Sequence, residues 1–234
     1  MATRGVAGMA AALGILALVA GCGDEGPSDN ENGIVAEYYT DLAAFTARLD
    51  DVNEVDFDDI DAGGPGSHAW FDAERYLDSD LIVITGEDGQ YVSEDFGYPV
   101  DFPPVSAMNS YAPGPVATPA GGGNVTIVTF EEAGNEALTT GFGLWFIDAD
   151  YAEDGPCTLA VFDTTGQRIG LVTDIETGDG EHTFRGIVMV DEATGQPARV
   201  IARVRIVNGD GWPGGDDNEG VALDDFTFDD PFAP

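Results

Sequence analysis

Asp224 and Asp225 stand side by side in an otherwise apolar run, Val221-Ala-Leu-Asp-Asp-Phe-Thr-Phe228. If the run is a strand, Ala222, Asp224, Phe226 and Phe228 share one face, and Val221, Leu223 and Asp225 share the other. Whichever face is buried, one carboxylate is directed toward the core. Such a group is costly without a counter-charge and otherwise takes up a proton. The chain offers few counter-charges, with 44 Asp and Glu against eight arginines and no lysine. A hard cation is therefore the expected partner. Calcium, which takes about six to eight oxygens at flexible geometry, suits Asp-rich loops better than magnesium does. A second acidic group, Asp148, Asp150 and Asp154 in the loop Asp148-Ala-Asp-Tyr-Ala-Glu-Asp-Gly155, has related spacing. It is not an EF-hand, because Ala152 stands at the third ligand position and the closing Glu is absent. Solvated surface carboxylates are the alternative for both groups. Adjacent acids recur throughout so acidic a chain, and pairing alone marks no catalytic dyad.

The other candidate chemistry is aromatic. The turn-rich segment 208–220 holds Trp212 amid Asp210, Asp216 and Asn218. At this length it exceeds an ordinary hairpin loop, which favours a binding role. An indole can stack on a sugar ring while carboxylates and amides accept its hydroxyls. Trp70, beyond the glycine-rich turn 63–66, is a weaker version of the same arrangement; either indole could instead tuck against the fold. Nucleophilic hydrolysis has little support. The two histidines are His68 and His182, Gly-x-Ser-x-Gly is missing, and no His/Cys spacing suits zinc. A glycosidase pair of carboxylates stays open as a third-ranked possibility, with no pair singled out. The formal charge of -36 opposes nucleic acid and anionic lipid headgroups. The absence of lysine excludes Schiff-base and Walker-type phosphate chemistry.

Residues 1–21 have the layout of an export signal: Arg4 supplies a positive charge, and Val6 to Ala20 is an unbroken run of small and aliphatic residues. Its end, Leu18-Val-Ala-Gly-Cys22, resembles the lipobox of bacterial lipoproteins, in which the signal is cut before a cysteine that carries lipid. The resemblance implies lipidation of Cys22. With Gly23 following, it implies attachment at the outer membrane or cell surface. Residues 22–33 then read as a polar acidic tether spanning roughly 18 Å. The C-terminal residues show no hydrophobic tail, so anchoring at one end is expected. With Cys22 modified, Cys157 has no disulfide partner and is expected as a small buried side chain.

These groups need a scaffold, and residues 34–234 suit one all-β domain led by a short helix. The helix is expected over Thr40–Leu49, with Thr40 as cap and Leu42, Phe45 and Leu49 on one stripe. Strands are expected at 55–58, 81–85, 125–130, 141–147, 158–163, 168–173, 182–190, 198–207 and 221–228, separated by Gly, Pro, Asp and Asn. Gly143-Leu-Trp-Phe-Ile147 lacks alternation and should be a central strand or one covered on both faces. Along 198–206, Val200, Ala202, Val204 and Ile206 should point inward, and Arg199, Ile201, Arg203 and Arg205 outward. Many short strands without helical periodicity predict a two-sheet antiparallel jelly-roll sandwich.

The helix Tyr-Thr-Asp-Leu-Ala-Ala-Phe, the run Val55-Asp-Phe-Asp-Asp59, the segment Phe142 to Asp163 and the run Val221 to Phe228 together resemble secreted bacterial jelly-roll ectodomains. Such domains are common among PEP-CTERM proteins and broadly similar to galactose-binding-like and MAM domains. The resemblance covers most of residues 36–229 and lacks the C-terminal sorting tail. In such folds a cation often joins the first and last strands, which implies a site at Asp58 with Asp224 and Asp225. The function expected from all this is a non-catalytic, lipid-anchored envelope module, glycan-binding and calcium-stabilised, whose partners are the membrane and a glycan or envelope protein. A structural or adhesive lipoprotein without a small-ligand site is the alternative.

Overall fold

The computed structural model describes residues 33–86, 89–96, 102–106, 109–113, 125–150, 155–178, 180–209 and 220–233. Cys22, Asp154, Asp210, Trp212, Asp216 and Asn218 lie outside these residues. The strands are β1 (Ile34–Tyr39), β2 (Val52–Val55), β3 (His68–Trp70), β4 (Ile82–Gly86), β5 (Gln90–Ser93), β6 (Ser110–Pro113), β7 (Val125–Glu132) and β8 (Asn135–Glu136). They continue with β9 (Gly141–Ile147), β10 (Cys157–Phe162), β11 (Arg168–Val172), β12 (His182–Asp191), β13 (Gln196–Pro197), β14 (Arg203–Asn208) and β15 (Ala222–Asp229). One antiparallel sheet runs β1-β12-β9-β15-β6-β5-β3, with β13 beside β12 and β2 beside β15. The second runs β11-β10-β14-β7-β4, with β8 beside β7. The all-β two-sheet sandwich is as expected.

The core lies between the sheets and is strongly aromatic. Phe57 stacks on Tyr111 at 5.3 Å and meets Phe226 edge-on at 5.2 Å. Phe142 stands 5.6 Å from Phe226, and Phe130 stands 5.7 Å from Phe228. Edge-to-face packing of this kind adds to the apolar area removed from water. Cys157 is buried in the same core, as expected.

Two smaller apolar clusters cover the outer face of the first sheet, which explains why its central strands lack alternation. One is the helix α1 (Leu42–Thr46), whose Phe45 packs on Phe184, Val188 and Val190. Its cap is Asp41 rather than Thr40: the Asp41 carboxylate accepts the Ala44 N–H at 2.7 Å. Glycines make room for the helix. A Cβ on Gly186 would stand 2.6 Å from the Phe45 ring, and one on Gly141 2.8 Å from Leu49. The other cluster joins Tyr91, Phe96, Phe102, Ala112, Ile147 and Ala222. A second short helix, α2 (Leu77–Asp80), lies outside the single-helix expectation. It carries no buried residue that would give a periodic stripe.

Several strands escaped the sequence reading. Gln90–Ser93 and Ser110–Pro113 are short and polar, yet buried throughout, because the core covers one face and the outer cluster the other. Ile201 is buried rather than outward, since a bridge to Thr139 interrupts the chain before β14 begins at Arg203. From Arg203 onward the alternation holds.

Gly186→Ala is expected to destabilise the fold by about 1–3 kcal/mol through overpacking against Phe45. Urea denaturation should show this as a lower midpoint with an unchanged slope.

Candidate functional site

The expected faces of β15 are wrong, and the reason is a bulge. β15 pairs with β9 up to Asp224 and again from Thr227, with a register shift between them. Asp225 takes φ 45°, a left-handed conformation in which Asp is among the more tolerant residues. Leu223, Phe226 and Phe228 consequently all enter the inter-sheet core, whereas Ala222 faces the outer cluster. The bulge sends the two carboxylates to different surroundings.

Asp224 is fully buried, and what meets it is backbone rather than a base. Its Oδ2 accepts N–H groups from Val105 at 2.8 Å and Ser106 at 3.3 Å. Its Oδ1 accepts the Asp225 N–H at 2.9 Å, with the Ser106 hydroxyl at 3.4 Å. These oriented N–H dipoles favour the charged carboxylate, but they only partly offset its burial. Ser106 Oγ also reaches the Asp56 carbonyl at 3.3 Å. Next along the chain, Asn109 donates its N–H to Asp58 Oδ1 at 3.0 Å and its amide to the Phe57 and Ile60 carbonyls. Asp58 and Asp224 therefore serve the same region by gripping neighbouring stretches of chain.

Asp225 is different. It is 7% exposed, and its Oδ1 is buried without a hydrogen-bond partner. Glu54, Asp56 and Asp58 all add negative potential there. Burial, together with those charges, pushes the Asp225 carboxyl up to about 6. Burial and the neighbouring Asp225 charge push Asp224 to about 8, against the pull of its N–H donors. Burial and Asp56 also raise Glu54.

The second acidic group does not join this one. Asp148 follows β9, takes φ 58°, and its Oδ1 accepts the Gly180 N–H at 2.9 Å. Ala149 is clasped to Thr177 by N–H and carbonyl bonds in both directions. Asp148 thus belongs to a clasp that joins the end of β9 to Thr177, Gly180 and Glu181. Among the described residues no three His, Cys, Asp or Glu side chains form a ready metal cage. Trp70 is 49% exposed on the edge strand β3, with its ring 5.4 Å from Tyr91 and one side over Gly89.

Two buried carboxylates, Asp95 and Asp229, lie outside the sites expected from sequence. Asp229 is fully buried; its Oδ1 accepts the Asp50 and Asp51 N–H groups and its Oδ2 the Thr140 hydroxyl, with Arg199 at 3.8 Å. Its place at the end of an apolar run, like that of Asp224, was the available signal.

The native pair binds more protons than the unfolded chain between the ordinary carboxylate range and about pH 8. In cation-free buffer its contribution to stability should therefore be greatest in acid and decline, on the order of a few kcal/mol, as pH rises through that window. Asp224→Asn keeps an acceptor for the amides and should flatten the decline relative to wild type. Denaturant titrations between pH 4 and 8, roughly the window of these shifts, measure the difference.

No family model matches the chain. No curated protein matches it either. Among solved structures it is similar to a DUF4465 family protein from Bacteroides caccae, at 13% identity over 76% of this chain and 99% of that one, with a TM-score of 0.40. The K2 cleaved adhesin domain of Lys-gingipain matches at 9% identity over 76% and 98%, with a TM-score of 0.35. An arabinose-bound α-L-arabinofuranosidase matches at 14% identity over 64% of this chain and 23% of that one, with a TM-score of 0.34. Likeness at this level carries nothing about function.

Proposed function

We propose that the chain is an exported, lipid-anchored binding module of the cell envelope, which presents a calcium-stabilised β-sandwich to glycan. The observation that carries the reading is the order of its parts. A lipobox-like Leu18–Cys22 is followed by a polar tether, and strand β1 begins at Ile34, where the tether ends. Loss of residues 1–21 would remove Arg4 and leave all 44 acids against seven arginines. Such a chain has no electrostatic hold on anionic lipid, so attachment falls to acyl chains, each buried methylene contributing about 0.8 kcal/mol. Detergent-phase partition of the native protein checks this: wild type should enter the detergent phase and Cys22→Ser the aqueous phase. Wild type in the aqueous phase would sink the anchor.

Calcium fits one of the two acidic groups better than the other. The orphaned Oδ1 of Asp225, with Glu54, Asp56 and Asp58 adding to the negative potential, supplies the donor chemistry that calcium takes. Carbonyl and water oxygens would complete the shell. Asp148 is already engaged by the Gly180 N–H, and supports a cation less. Calcium at about a hundredfold over its dissociation constant adds about 2.7 kcal/mol to stability. For a domain of this size that amounts to roughly 5–10 °C in melting temperature. The shift should appear in wild type, vanish with chelator, and be lost in Asp225→Asn. An equal melting temperature with and without calcium would remove the ion from the reading.

A further inference from the structure

We infer that glycan is recognised at a groove beside Arg203, between the β7–β8 hairpin and the β10–β11 turn, and that its ligand is a neutral or amino-bearing sugar rather than a uronic acid. The inference rests on the glycan-binding reading above, and places its site on residues no part of that reading used. The groove has a volume of about 350 Å³, and its walls include Thr129, Glu131, Glu136, Asp163, Thr164 and Arg203. Volumes of this order are usual for small-molecule sites with a few convergent polar groups.

Strand register assembles it. Phe162, Arg203 and Thr129 lie opposite one another across β10, β14 and β7. The Arg203 guanidinium lies over the Phe162 ring at 4.6 Å, so it is fixed as a plane. Its Nε is buried without a hydrogen-bond partner. Glu131 faces Glu136 across the hairpin. Neither has an ion pair or side-chain hydrogen bond among the described residues. Like charges placed opposite each other destabilise a hairpin, and this pair persists with an arginine nearby that it does not engage. Asp163 is held rigidly: its Oδ1 accepts the Thr165 N–H, the Thr165 hydroxyl and the Gln167 N–H. The groove thus offers carboxylate acceptors on one side, the terminal N–H groups of Arg203, which no ion pair engages among the described residues, on the other, and hydroxyls on both walls. A ligand must supply hydroxyl donors and oxygen acceptors together, which is the chemistry of a sugar ring. Three carboxylates against one guanidinium repel a uronic acid and tolerate a neutral or amino sugar.

The test is a calorimetric titration of the lipid-free domain with neutral, amino and uronic oligosaccharides, each with and without chelator. Binding of a neutral or amino oligosaccharide, insensitive to chelator, is expected. Arg203→Ala and the double change Glu131→Gln with Glu136→Gln should each weaken it by about tenfold or more, the worth of one or two charge-assisted hydrogen bonds. The double variant relieves the like-charge pair and should melt no lower than wild type, so weakened binding there is not misfolding. Glycan binding left intact in both variants overturns the groove while leaving the envelope-module reading in place. Tighter binding of uronic acids, or binding lost only with chelator, also overturns it. No binding to any oligosaccharide defeats the glycan reading itself, and the groove with it.

Discussion

The carboxylate of Asp224 governs much of this structure. It is buried in the strand that pairs with β9, β6 and β2, and it holds the Val105 and Ser106 amides against the outer face of the sheet. Val105 packs against the cluster of Tyr91, Phe96 and Phe102. Without those amides the carboxylate would be a desolvated charge. Without the carboxylate the amides would be unpaired donors under an apolar cover. Each defect would cost more than the net worth of a hydrogen bond, so the two are retained together. The outer cluster in turn makes β5 and β6 buried strands rather than an open sheet face.

The bulge at Asp225 follows from the same arrangement. Strict alternation would put Asp224, Phe226 and Phe228 on one face, and the Asp224 charge among the aromatic rings of the core. One extra residue in a left-handed conformation returns Phe226 to the core beside Leu223 and keeps Asp224 outside it. The consequence is a second carboxylate, Asp225, placed among Glu54, Asp56 and Asp58 with one oxygen unsatisfied. Stability of the core and tension in the acidic patch therefore have one origin.

Charge is distributed with similar economy. Arg48 pairs with Glu37, Arg75 with Asp59, and Arg199 approaches Asp229. Arg203 instead lies over an aromatic ring, with acids close by that it does not engage. In a chain with so few cations, an arginine left with donor capacity beside three carboxylates is a costly arrangement to retain for shape alone. Its surroundings come from register, which aligns Phe162, Arg203 and Thr129 from strands far apart in sequence.

Much of the sandwich was legible along the chain, because β-branched and aromatic runs between turn residues report burial directly. Gly141–Ile147 has the limits expected for it, and its missing alternation, which fits a central strand or one covered on both faces, belongs to a strand that is both. The acidic excess, the absence of lysine and the cysteine at 22 with its apolar approach are likewise plain in composition and order. Other features depended on long-range contacts that local pattern does not encode. Gln90–Ser93 is too polar and too short to announce a buried strand, and on its outer face Phe96, Phe102 and Val105 complete the cluster that holds Tyr91. Asp58 and Asp224 both accept backbone N–H groups from neighbouring stretches of chain, donors that every residue has and no composition reveals. The groove beside Arg203 is set by register across three strands, which is settled only when hydrophobic faces dock and hydrogen-bond ladders close. Side-chain chemistry was thus written in the residues, while the choice among possible partners belonged to the packed chain, because burial converts a common acid into a group that must find a donor.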